Sequence, residues 1–250
     1  MISSDFRHNY SPLELALYDE DLGAVQRLLA PRDECGFPTL DLNGWYGGDV
    51  TPTALKFAIM RVERVNVPII QALLQVRDNQ GYPVIDVNAQ DFLGRTVIAD
   101  VLYKKMPIRV KRELLQSFLD LRGPKGELIV NLRCDACDEE YTLLYDAFLT
   151  RDIHCLRMLL DARLANGERA LNVNQRVGGW RTGLTLLDFA QQKDSPWYKY
   201  NQELVDAIKA AGGLNSGEVS NEQGRRFQPT DVFRPLPFAL IALLTEQPRR

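Results

Sequence analysis

Histidine is nearly absent from this chain and cysteine is scarce: two of the first and four of the second in 250 residues. His8 and His154 lie far apart in the chain, and His154 sits inside a helix-like stretch, where it reads as a surface residue rather than a base. No Gly-x-Ser-x-Gly, P-loop, His-Glu-x-x-His or strand-following Gly-x-Gly-x-x-Gly occurs. GPKGE (Gly123–Glu127) places a lysine between glycines without the phosphate-loop spacing, so it is not read as a nucleotide site. No catalytic residue, cofactor or small-molecule substrate is therefore expected.

Cys134 and Cys137 form a Cys-x-x-Cys pair. A structural zinc site needs four ligands, and Cys35 and Cys155 belong to other parts of the chain. A redox pair would open a helix after a strand, whereas this one lies in a loop-like stretch beside Asp135, Asp138, Glu139 and Glu140. Acidic neighbours raise thiol pKa values and lower reactivity. The pair reads as incidental free thiols, and no metal is expected.

A strong charge of either sign is also missing. The formal net charge is −3, which gives no bulk argument for a nucleic acid or an anionic membrane as partner. No run approaches the roughly 18 apolar residues of a membrane span. The first residues carry acids where an export signal would be apolar, and free thiols fit a reducing compartment, so a soluble cytoplasmic protein is expected. With 45% hydrophobic residues the chain can bury a substantial core.

What the chain does have is a repeat. Asp41-Leu42-Asn43, Asp86-Val87-Asn88, Ile129-Val130-Asn131 and Asn172-Val173-Asn174 end on asparagines 45, 43 and 43 residues apart. Helix-opening patterns begin at Ser11 (SPLELA), Thr53 (TALKFA), Thr96 (TVIADV), Thr142 (TLLYDA) and Thr185 (TLLDFA). In each, a hydroxyl residue can cap the helix, and the apolar third and sixth residues share one face. Second helical segments end in apolar pairs at Leu28-Leu29, Leu73-Leu74, Phe118-Leu119 and Leu159-Leu160, and the fifth runs through Ile208 to Gly212. Such helix pairs bury their apolar faces only by stacking on their neighbours.

These motifs resemble the ankyrin repeat, whose first helix opens Thr-Pro-Leu-His-x-Ala and whose second helix leads through Gly-Ala-Asp-Val-Asn to a β-turn. SPLELA, TLLDFA, the Asp/Asn-Val-Asn elements, DLGAVQRLL (Asp21–Leu29) and DIHCLRMLL (Asp152–Leu160) carry the resemblance across roughly residues 10–214. It implies an all-α solenoid of ankyrin-type helix-turn-helix units, about five in number, with extended β-turn fingers. The units fall near 10–43, 51–88, 94–131, 140–174 and 183–213. A polar linker follows at 214–231, and a C-terminal helical segment at 232–250 is expected to cap the last unit.

The period exceeds the usual ankyrin length, and the excess is itself repeated. Arg32, Arg77, Arg122 and Arg163 stand where the family has glycine, and a glycine follows each after four residues, at Gly36, Gly81, Gly126 and Gly167. We expect the second helix to run past its usual stop to a glycine turn with positive φ. Arginines near helix C-termini favour the macrodipole, and the alternative is a basic ladder facing an acidic partner.

In ankyrin arrays the fingers and first helices line a concave side where protein partners bind, and the resemblance implies the same here. The first finger carries Trp45 and Tyr46, the second Phe92 and Arg95, and the fourth Arg176, Trp180 and Arg181, whereas the third is acidic. Aromatics and arginine are enriched at binding hot spots, so these residues are the expected partner-binding set. The competing expectation is that the rings fold back and seal each finger. The function expected is a non-catalytic protein-interaction scaffold. The alternatives are a translocated bacterial effector acting in a host cell cytoplasm with its catalysis elsewhere, and a ubiquitin-ligase substrate adaptor. Pro235-Leu236-Pro237 and Leu240–Leu244 are weakly similar to the end of a SOCS box, which motivates the adaptor reading.

Overall fold

Most of the helices begin where a short polar side chain closes their free amides; Thr96, expected to cap the first helix of unit three, makes no such bond. In the computed structural model, Ser11 opens α1 (Pro12–Tyr18) with a reciprocal capping box: its hydroxyl accepts from the Glu14 amide at 3.2 Å, and the Glu14 carboxylate accepts from the Ser11 amide at 2.7 Å. Thr185 and Asp188 do the same for α9 (Leu186–Gln191). Thr53 caps α3 (Ala54–Met60) by accepting from the Lys56 amide at 3.1 Å. The other first helices are α5 (Val97–Tyr103) and α7 (Leu143–Leu149).

The second helices are α2 (Leu22–Leu29), α4 (Val67–Leu74), α6 (Ile108–Leu119), α8 (Ile153–Asp161) and α10 (Gln202–Ala210). Asp21, Asn66, Asp152 and Asn201 cap four of them; α6 opens on Pro107 without a side-chain cap. The residues described are 10–34, 37–44, 46, 52–60, 64–92, 94–132, 143–177, 183–192 and 201–219.

First helices pack on first helices (α1 on α3, α3 on α5, α5 on α7) and second on second (α2 through α10), while each pair also packs internally. The result is a two-layer stack of five units with one continuous apolar core running from Leu13 to Ala211. Burying some fifty apolar side chains in a shared core is what stabilises units too small to fold alone.

The repeated insertion is not a helix extension. The second helices stop at Leu29, Leu74, Leu119 and Asp161, and each arginine then pairs across an antiparallel bridge: Arg32 with Pro38, Arg77 with Pro83, Arg122 with Leu128, and Arg163 with Arg169. In the second unit the Asp78 amide donates to Tyr82 O at 2.9 Å, Gly81 N to Asp78 O at 3.2 Å, and Val84 N to Val76 O at 3.0 Å. The third and fourth units repeat this pattern. The turn glycine has the expected positive φ at Gly81 (87°), Gly126 (77°) and Gly167 (84°). The insertions of units two to four are thus small hairpins closed by a glycine bulge, and cross-strand bonds replace the helical bonds a longer helix would have made. Of the arginines, Arg163 serves its helix end, donating to Leu160 O and Ala162 O at 3.3 Å, while Arg122 donates to Arg163 O of the next hairpin at 3.1 Å.

The hairpins also reset the repeat register. Counted from the arginine, the partners of Asn43 and Asn88 are Arg133 and Asn174, so the third signature is Asn131-Leu132-Arg133 rather than the Ile129-Val130-Asn131 expected. Burial agrees, because Leu132 fills the position of Leu42, Val87 and Val173. The three asparagines in register each join one unit to the next by a reciprocal pair of bonds. Asn43 donates to Val84 O and accepts from Asp86 N, and Asn88 does so with Ile129 and Asn131 at 2.9 and 2.7 Å. Asn174 does so with Gly212 and Leu214. Residues at the head of the expected linker are consequently packed on the last unit: Thr185 Oγ1 donates to Leu214 O, and Ser216 N to Asp188.

A bidentate ion pair ties unit three to unit four. Arg112 donates from Nε and Nη2 to the two Asp152 carboxylate oxygens at 2.7 and 2.6 Å. Burial raises the Asp152 carboxyl, but the hydrogen bonds from Arg112, Cys155 and the His154 amide bring it down to about 2. A carboxyl depressed on folding stabilises the fold above its ordinary pKa and loses that contribution as pH falls towards 2. Asp152→Asn should therefore cost about 2 kcal/mol at pH 6 and almost nothing near pH 2. Urea melts at the two pH values check this.

Candidate functional site

The face formed by the first helices and the second finger holds the candidate site. The finger's turn is closed by Asp91, whose carboxylate accepts from the Arg95 amide at 2.9 Å while Gly94, at φ 71°, donates to Asp91 O. This leaves Phe92 at the tip, where it is 69% exposed, more than any other large apolar side chain described.

Below the finger lies a network of charges. Lys56 of α3 is 2% exposed, and its ammonium lies 2.5 Å from Asp100 Oδ2 of α5 and 3.4 Å from Asp91 Oδ2; it also donates to Arg95 O at 2.6 Å. The Arg95 guanidinium is 3.3 Å from Asp91 and 3.9 Å from Asp100, and lies over the Tyr103 ring at 5.8 Å from its centroid. Burial raises the Asp100 carboxyl, opposed by Lys56 and Arg95. On α7, Asp146 occupies the position of Asp100 one unit on; burial pushes it to about 7, with Arg95 acting in the other direction.

The same helix position is Leu15 in unit one and aromatic in units two and five. Phe57 on α3 packs with Tyr10 and Tyr46 at 6.1 and 6.2 Å, and Phe189 on α9 with Tyr145 at 5.4 Å. The carboxylates of units three and four are thus flanked along this face by aromatic rings in units two and five.

The expected binding residues have different fates. Phe92 is exposed as expected. Tyr46 is not on the surface stripe: it is 6% exposed, its hydroxyl donates to Asp41 O, and its ring covers Phe57, so it belongs to the fold-back alternative. Burial, with Asp41 and then Glu14 adding to it, raises the Tyr46 phenol well above its ordinary value. Arg95 sits beside Phe92, but its charge is engaged by Asp91 and Asp100. Arg176 lies in β1 (Arg176–Val177), which pairs with β2 (Leu184–Thr185) at the base of the fourth finger. Trp45, Trp180 and Arg181, together with Cys35, Cys134, Cys137 and the segment 232–250, lie outside the described residues.

Sequence reasoning missed Lys56, Asp91, Asp100 and Asp146. The available signal was a charged residue on the apolar face of a first-helix motif, as in TALKFA, TVIADV and TLLYDA. Among the described residues no group of three or more His, Cys, Asp or Glu side chains is placed to hold a metal, and no helix is long and apolar enough to cross a membrane. Burial, with Asp152 adding to it, pushes the Cys155 thiol up to about 12, which makes it a poor nucleophile. His154 is exposed.

No family model matches the chain, and no curated protein matches it. Among solved structures it is similar to the ankyrin repeat domain of Bcl-3, described as a unique member of the IκB protein family. The TM-score is 0.55 at 16% identity, over 82% of this chain and 73% of that one. At that identity the likeness shows the fold alone, and the fold is an ankyrin-type solenoid.

Proposed function

We propose that this array is a non-catalytic module that binds a protein partner through its first helices and finger tips. The observation that carries the reading is Phe92, a large apolar ring held 69% exposed on a turn that Asp91, Gly94 and Arg95 keep in place. An exposed ring on a fixed turn gains from being covered and loses little entropy when it is. The ionic floor of Lys56, Asp91, Arg95 and Asp100 keeps the base of that finger rigid, so Phe92 is presented rather than free to fold inwards. Arg95 acts as a positioning residue and through Tyr103 extends the face along α5.

Phe92→Ser should reduce capture of a stoichiometric partner from cell lysate by about tenfold or more while the melting temperature stays within a degree or so of the parent. Trp45→Ala and Trp180→Ala are expected to behave alike. A matched loss of stability in the Phe92 variant, or capture that survives all three substitutions, sinks this reading.

A further inference from the structure

We infer that the edge where the first helices of units three and four end is a second docking surface, shaped for an acidic, apolar-bearing segment of a protein partner. Tyr103 borders the finger face through Arg95, and Phe92→Ser separates the two readings.

Three of the exposed large apolar side chains stand at helix ends on this edge. Tyr103 is the last residue of α5 and 50% exposed; Leu149 is the last of α7 and 43% exposed; Ile108 is the first of α6 and 43% exposed. Their adjacency follows from packing, since α5 lies against α7 and the Arg112–Asp152 pair holds the first turn of α6 to the start of α8. Water gains nothing from these side chains, and an isolated exposed apolar residue needs no explanation, but a cluster on one edge does.

The segment that joins α5 to α6 carries charge of one sign. Residues 103–112 (YKKMPIRVKR) hold five cations and no acid. Arg112 is neutralised by Asp152, and the Lys104 and Lys111 ammoniums donate to the Ile59 and Leu102 carbonyls. Lys105 and Arg109 remain, both exposed and neither ion-paired with a described residue; Glu113 stands one turn further along α6.

The placement also runs against helix electrostatics. The first turn of a helix favours acids, and the other second helices open on Asp or Asn, whereas α6 opens on Pro107 with Arg109 and Lys111 in its first turn. Arg112, Lys104 and Lys111 serve the fold, whereas Lys105 and Arg109 make no ion pair with a described residue, and carboxylates of a docked segment would complement them. The three apolar side chains are about half covered, and a protein segment can supply carboxylates and apolar groups together.

The test selects a displayed library of random short peptides on the full chain, then measures the selected peptides by fluorescence anisotropy. Acidic sequences with spaced apolar residues should be enriched. Their affinity should fall about tenfold or more in Lys105→Glu/Arg109→Glu, fall less in Leu149→Ser and in Lys105→Gln/Arg109→Gln, drop steeply with salt, and be unchanged in Phe92→Ser. Circular dichroism melts confirm that each variant is folded. Selection without an acidic bias, or peptides that bind the charge-reversed protein equally well, overturns the inference. Peptides lost only in Phe92→Ser also overturn it, because they belong to the finger face. Sedimentation with phosphatidylserine/phosphatidylcholine vesicles that is abolished by charge reversal, with no peptide selected, overturns it in favour of a lipid surface.

Discussion

Lys56→Met should destabilise the array by about 3–5 kcal/mol, the range for removing one member of a buried ion pair. Lys56 and Asp100 are 2% and 0% exposed, and the ammonium lies 2.5 Å from one carboxylate oxygen and 3.4 Å from a second carboxylate, that of Asp91. Without the lysine, the Asp100 charge is left in the core with only Arg95 at 3.9 Å, and the Arg95 carbonyl at the base of the finger loses its donor. The loss should therefore be felt both at the joint between α3 and α5 and at the finger carrying Phe92. Replacing both partners, as Lys56→Met/Asp100→Leu, removes the uncompensated charge and should recover a large part of the loss. Urea denaturation of the two single variants and the double variant forms the cycle. Strict additivity would show that the two groups do not act as a pair.

Asp146→Asn should do the opposite and stabilise the protein, in a way that depends on pH. The Asp146 carboxyl is held at about 7 in the fold, against an ordinary value of 3.8. A raised carboxyl means that the fold prefers the protonated form. The penalty is absent below the ordinary pKa, grows as pH climbs towards 7, and is constant above. The amide cannot ionise, so the gain should be about 2–4 kcal/mol at pH 8 and close to zero below about pH 4. Arg95 limits the effect, because its charge already favours ionised Asp146 while being shared with Asp91 and Asp100. A gain of equal size at both ends of the pH range would mean that ionisation is not its source.

Local features of the fold were legible in the sequence, and those set by stacking were not. Ser11, Thr53 and Thr185 mark helix starts because capping needs only a residue and its near neighbours. Gly81, Gly126 and Gly167 mark turns for the same reason. The third signature was placed two residues early because Val130-Asn131 matches the motif by residue type, whereas the true register is set by the hairpin from Arg122 to Leu128 and by burial of Leu132. Arginine in place of the family's glycine read as a longer helix, since nothing nearby signals that the backbone will bridge to a residue six positions on. Tyr46 and Phe92 are both finger aromatics by sequence. What separates them is Phe57 beneath one ring and open solvent around the other, which only the stacking of units decides. The ionic floor joins residues from two first helices and the finger between them, so no window of sequence holds all of it.

The asparagine bonds between units have a mechanical consequence. Asn43, Asn88 and Asn174 each act as both donor and acceptor across a joint, whereas the third signature offers Arg133, a side chain that donates but has no acceptor. Among the described residues the joint between units three and four is held by packing, by Arg122 reaching the next hairpin, and by an ion pair that fails when Asp152 takes up a proton. Stretched from its ends, or taken to acid, the array should part at this seam, rupturing into a block of three units and a block of two rather than peeling one unit at a time.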